Sequence, residues 1–157
     1  MVENVSAHKT LFQTSDFIAY GTIILSGLME YLFPTSLGVN RVLESGIGLF
    51  LLITAWLILV VTKLQFKKCK QPSKPGKVTT GLVTSGILSY SRNPMYVGVV
   101  LLVVAIGILA DSLWITGSSL IVFLLIQKFL IRPEEKYLTE KFSEDFISYT
   151  KHTRRWL

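Results

Sequence analysis

Two short runs hold the side chains best suited to chemistry. Arg92-Asn93-Pro94-Met95-Tyr96 groups a cation, an amide and a phenol around a proline, and Glu134-Glu135 is a carboxylate pair. Backbone N–H groups at a helix start favour an anion, and carboxylates favour an ammonium or a sulfonium. Brought together, the two runs would hold a small zwitterionic cofactor at both of its charges. Each also has a plainer reading. Glu134 and Glu135 suit the first turn of a C-terminal helix, where the helix dipole favours solvated acids. Asn93-Pro94 suits a helix cap followed by proline at the first helical position. Arg92 suits a residue that snorkels to a membrane surface. His8 and His152 lack metal-ligand spacing, so no metal is expected. The single cysteine, Cys69, allows neither an intramolecular disulfide nor a cysteine-rich zinc site.

The elements that must position these runs are apolar. Half of the 157 residues are hydrophobic, only 17% are charged, and the mean hydropathy is +0.52. Soluble domains carry about 25% charged residues. Four apolar blocks stand out: Phe17–Phe33, Leu43–Leu64, Tyr96–Ala110 and Leu113–Ile131. A spanning helix needs about 20 residues. The second and fourth blocks meet that length, and the first and third lie at its short limit. The third has no polar stripe, which a helix on the surface of a soluble bundle would need. The expected fold is all-α: a polytopic membrane protein of about four transmembrane helices, an interfacial connector and a C-terminal amphipathic helix. Residues 1–157 form one integral-membrane domain in this reading. The polar opening MVENVSAHKT gives no expectation of a cleavable signal.

Charge sets the orientation. Seven basic residues and no acid lie between Lys63 and Asn93, whereas Pro34–Val42 carries only Arg41 and the turn after the third block only Asp111. Basic loops stay cytoplasmic, so both termini are expected there. The net charge of +6 would suggest nucleic acid in a soluble protein. In a membrane protein it reflects loops facing anionic lipid, so the expected partner is the bilayer and not nucleic acid. Blocks three and four, joined by Asp111-Ser112, must form an antiparallel hairpin. That hairpin returns Glu134 and Glu135 to Arg92, Asn93, Pro94 and Tyr96. Leu138, Phe142, Phe146 and Tyr149 share one helical face, so the last segment is expected to pack back on the membrane surface, with Trp156 as an interfacial anchor. Gly98, Ala105 and Gly107 would permit close helix packing. The first block, with Glu30 near its outer end, is given a structural role.

The run LVTSGILSYSRNPMYVG, followed after one hairpin by EEKYLTEKFSEDFISYTKHTRRWL, resembles the isoprenylcysteine carboxyl methyltransferase and phospholipid methyltransferase family. The likeness covers about half of the chain, residues 79–157. It implies a small membrane methyltransferase that uses S-adenosylmethionine, releases S-adenosylhomocysteine, and methylates a lipophilic acceptor, an isoprenylcysteine-like carboxylate or a phospholipid amine. A non-catalytic membrane protein on the same scaffold is the alternative. In the family, the stretch matching Thr80-Gly81-Leu82-Val83 lines the cofactor pocket, and the position of Leu88 touches the cofactor. The segment matching Arg92-Asn93-Pro94-Met95-Tyr96 forms a pocket wall, and the pair matching Glu134-Glu135 reaches the cofactor's amino-acid end. A basic residue just upstream of the acids places the acceptor, which makes Arg132 the catalytic candidate, with Lys128 nearby. The chain departs from the pattern in four places. Asn93 stands where the carboxyl methyltransferases usually have histidine, Leu88 for an aromatic, Ser143 for glycine and Phe146 for tyrosine. The implied reaction is direct displacement, in which the protein aligns the acceptor and excludes water. The oligomeric state is not legible.

Overall fold

The computed structural model describes the backbone of residues 7–70 and 81–157, and the side chains of all of these but 7–17 and 19. Thr80, Lys74 and Lys77 therefore lie outside the described residues. Within them the fold is all-helical. It comprises α1 (Ala7–Leu32), α2 (Arg41–Lys68), a 3-10 turn (Gly86–Ser89), α3 (Pro94–Leu109), α4 (Leu113–Ile126), a π turn (Gln127–Ile131) and α5 (Arg132–His152).

Local sequence sets the boundaries. The Asn40 side chain caps α2 by accepting from the Val42 N–H at 2.9 Å. Pro94 opens α3, as its fixed φ and missing N–H favour. Asp111, at φ 52°, makes the tight reversal after α3, and the Ser112 hydroxyl caps α4 at Ile115. The expected hairpin thus forms. α3 packs between α2 and α4, and α1 packs on the far side of α4.

Small residues bring these helices close. A Cβ on Gly98 would stand 2.8 Å from the Leu59 side chain and 3.3 Å from the Ala55 carbonyl of α2. A Cβ on Gly107 would stand 2.7 Å from the Thr116 Cα of α4. Ala105 between them is fully buried. The small-residue contacts expected of α3 are therefore made with both neighbours. Val103, Val122, Ile126, Leu130 and Ile131 form the packed centre. Among the described residues, two helical stretches are long and apolar enough to cross a membrane, Arg41–Lys68 and Leu113–His152; α3 is apolar but only 16 residues long. Large apolar side chains face outward along α2, among them Phe50, Trp56 and Leu64. Such a surface is unfavourable in water and natural in lipid.

The first block earns its structural role at the hairpin end. Glu30 of α1 accepts from the Thr35 N–H at 2.8 Å, the Thr35 hydroxyl at 2.9 Å and the Ser112 hydroxyl. Asp111 accepts from the Leu37 N–H at 2.7 Å, which holds its carboxyl below the usual carboxylate range. The connection from α1 to α2 is thereby clipped onto the α3–α4 turn.

The separate amphipathic helix expected at the C-terminus is instead a continuation of α4. Pro133 cannot donate to a carbonyl four residues back, and its ring presses on that carbonyl. The π turn just before it absorbs the mismatch, with the Arg132 N–H donating to the Gln127 carbonyl. Glu134 and Glu135 thus sit inside a continuous helical path, and the reading as acids at an open helix start does not hold. α5 then bends at Ser143, whose φ of 42° and ψ of −113° break the helical geometry. At such a backbone conformation a side chain is strained. The bend lets Phe146 bury and brings the Tyr149 hydroxyl to the Leu88 carbonyl. Trp156 is not a free interfacial anchor. Its ring lies 4.6 Å from that of Phe123, and its indole N–H donates to Gln127 Oε1 at 2.7 Å.

Candidate functional site

A cleft opens where the 81–88 segment, the start of α3 and α5 meet. It encloses about 80 Å³, or about 570 Å³ of empty space with its open mouth included. Gly81, Leu82, Val83 and Leu88 line it together with Arg92 and Asn93, while α5 contributes Glu134, Glu135, Leu138, Phe146 and Tyr149. Phe66, from the end of α2, closes the rim. A wider groove adjoins it through Gly81, Leu82 and Tyr149.

The two runs singled out in sequence therefore meet. Tyr96 stands behind the wall and donates its hydroxyl to Glu134 Oε2 at 3.2 Å. Pro94 is buried in the turn that starts α3. Met95 is half-buried and does not line the cleft, and Arg132 is exposed and does not line it.

The two acids are not equivalent. Glu135 is held by two guanidiniums. Arg155 forks onto it, Nε to Oε1 at 2.9 Å and Nη2 to Oε2 at 2.7 Å, and Arg92 Nη2 approaches Oε1 at 3.3 Å. The Arg155 charge is reinforced by that bidentate bond. Glu134 has the Tyr96 hydroxyl as its recorded partner and makes no ion pair among the described residues. Burial pushes its carboxyl up from the usual range. Tyr149, pushed up to about 12 by burial, stays a neutral donor to the Leu88 carbonyl.

The start of α3 is not an open anion site. The Arg92 N–H donates to the Arg154 carbonyl at 2.9 Å, the Asn93 N–H to Ser91 Oγ at 3.2 Å, and the N–H groups of Tyr96 and Val97 to the Asn93 carbonyl. The Asn93 side chain makes no cap; its amide donates to the Arg155 carbonyl at 3.0 Å. Among the described residues that line the cleft, the available positive charge is the Arg92 side chain, whose Nε is buried without a partner among them. The cleft thus presents one unneutralised carboxylate and one under-used guanidinium, with apolar walls around them. That pattern matches a zwitterionic head joined to a less polar body.

Sequence reasoning missed Arg155 and Phe66. The one signal for Arg155 was an arginine pair, Arg154-Arg155, beyond the last helix with no acids near it in sequence. Phe66 gave none, because an aromatic at a helix end reads as core or lipid contact.

The fold and site define an all-helical, apolar protein with a charged cleft at one end of its central hairpin. Residues 42–145 match the phospholipid methyltransferase family, and the chain belongs to it. The match takes in α2 through most of α5 and leaves Phe146, Tyr149 and Arg155 outside it. Partial relatives include the cobalt-zinc-cadmium resistance protein CzcN of Cupriavidus metallidurans, 35% identical over 78 residues, and the nickel-cobalt-cadmium resistance protein NccN of Alcaligenes xylosoxydans xylosoxydans, 32% identical over 78 residues. Each alignment covers 50% of this chain and 36% of the relative, so the chain spans little more than a third of those proteins. An uncharacterized protein of Haemophilus influenzae is 40% identical over 55 residues, which are 32% of this chain and 87% of that one.

Proposed function

We propose that the protein is an S-adenosylmethionine-dependent methyltransferase acting on a lipophilic acceptor, with an isoprenylcysteine-carboxyl-methyltransferase-like site. The observation that carries this reading is that one cleft is lined by both Glu134, which makes no ion pair among the described residues, and Arg92, whose Nε has no partner among them. Glu134 would hold the ammonium of the cofactor's amino-acid end. Arg92, supported by Asn93, would hold its carboxylate. Leu82, Val83 and Leu88 would cover the less polar remainder. S-adenosylmethionine supplies a methyl group already activated on a sulfonium, so the chain provides no nucleophile. Its residues align the acceptor and keep water away from the reacting atoms. Arg132, exposed at the start of α5, would meet the acceptor only at the cleft mouth.

A second reading, methyl transfer to a phospholipid amine, is supported by the family to which the chain belongs. An amine acceptor must lose a proton and a carboxylate acceptor need not, so the two differ in their need for a base.

The proposed setting is a bilayer crossed four times by one domain, with both termini and the cleft in the cytoplasm. Lys67 and Lys68 adjoin Phe66 at the cleft, Arg92 lines it, and the excess of basic residues between Lys63 and Arg92 in the sequence supports that orientation. The 16 residues of α3 rise about 24 Å, so Arg92-Asn93 would complete its crossing at the headgroups.

The test is S-adenosylhomocysteine added to the protein in nanodiscs. Binding should raise the unfolding temperature by linkage. Labelled methyl transfer into extracted lipid, compared with transfer into a farnesyl-cysteine analogue, then separates the acceptors. A protein whose unfolding temperature ignores the ligand would leave the non-catalytic reading standing.

A further inference from the structure

Arg155 lies outside the family match, in the five residues that follow α5 and bond to residues of the cleft lining. Three contacts fix this segment there. The Arg154 carbonyl accepts from the Arg92 N–H, the Arg155 carbonyl accepts from the Asn93 amide, and Trp156 is held by Gln127 and Phe123. The Arg155 guanidinium takes both oxygens of Glu135, at 2.9 and 2.7 Å, and Arg92 keeps one longer contact at 3.3 Å. A carboxylate offers the same two oxygens to any fork that reaches it. Arg92 and Arg155 therefore compete for Glu135, and Arg155 holds the better geometry. The group of two guanidiniums and one carboxylate keeps one positive charge in surplus, and the buried Nε of Arg92, unpartnered among the described residues, marks where it lies.

We infer that Arg155 is a positioning residue: it draws Glu135 away from Arg92 so that Arg92 can receive the carboxylate of the ligand. The inference rests on the function proposed above. Without Arg155, Glu135 would turn its fork onto Arg92 and quench the charge that the ligand needs. Glu135 then acts on the ligand only through Arg92, whereas Glu134 touches it.

The experiment measures binding of two probes to the full chain in nanodiscs. S-adenosylhomocysteine carries the amino-acid end, and methylthioadenosine lacks it. Arg155→Gln should weaken S-adenosylhomocysteine about tenfold, the scale of one charge-assisted contact, and leave methylthioadenosine unchanged. Arg155→Lys should lie between. Glu135→Gln in the Arg155→Gln background should recover most of the loss, because it releases Arg92. Equal weakening of both probes, or a double variant worse than the single one, would mean that Arg155 only holds the fold and would overturn the inference. Full binding of S-adenosylhomocysteine by Arg155→Gln would overturn it as well. A parent protein that binds neither probe would instead sink the proposed function, and this inference with it.

Discussion

The side-chain amide of Asn93 donates to the backbone carbonyl of Arg155 at 3.0 Å, across 62 positions of sequence. Through it the residue that precedes α3 is tied to the segment that follows α5. The amide at this position thus gives its donor to the backbone and acts as a structural tie beside the cleft.

Glu134→Gln and Glu135→Gln should fail in different ways. The first removes the charge that faces the ligand, a loss of about 1.5–3 kcal/mol, or roughly ten- to a hundredfold in S-adenosylhomocysteine affinity, with the fold intact. The second strips two guanidiniums of their shared partner and should lower the unfolding temperature while binding survives. Isothermal titration and thermal unfolding, run side by side, check the split.

Acidity should move stability and affinity in opposite directions. The Glu134 carboxyl is raised in the fold by burial, so its contribution favours the fold fully below the ordinary value of 4.5 and is lost as the pH climbs through the raised one. The ligand-free Glu134→Gln protein should therefore be more stable than the parent at neutral pH, with the difference closing in acid. Affinity for S-adenosylhomocysteine in the parent should fall as the pH drops through the raised value. An affinity that is flat across that window would contradict the role given to Glu134.

Ser143→Gly should stabilise the protein by about 1 kcal/mol, because a φ of 42° with a ψ of −113° suits only glycine well. The measurement is the unfolding temperature in detergent, where a rise of a few degrees is expected. No rise would show that the bend is held without strain.

Two glycines in α3 should rank by what they face. Gly98→Ala meets chiefly the Leu59 side chain, which can turn aside, and should cost about 1–3 kcal/mol. Gly107→Ala meets the Thr116 backbone, which cannot, and should cost more. Expression level and unfolding temperature of the two variants give the order.

Much of this was legible in the sequence because the signals were local or periodic. Pro94 marked the start of α3, Asp111-Ser112 forced the hairpin, and the hairpin alone required Glu134 and Glu135 to return to Arg92. The continuity of α4 into α5 was not legible, since Pro133 normally ends a helix and a π turn leaves no mark in composition. The division of labour between the two acids was hidden for another reason. It depends on Arg155, twenty residues along the chain from Glu135, and on a bend at a serine that sequence patterns treat as ordinary helix.

The unbroken run from α4 through the π turn into α5 also behaves as a ruler. Each residue added to a helix turns everything beyond it by about 100° and lifts it by about 1.5 Å. Ser112 pins the near end of that ruler to Glu30 of α1 and Asp111 pins it to the connection from α1 to α2, so one residue inserted in α4 would swing Glu134 off the cleft wall without touching any residue of the site. The hairpin's arm length is thus part of the protein's chemistry, and changes in it would be tolerated only in whole turns.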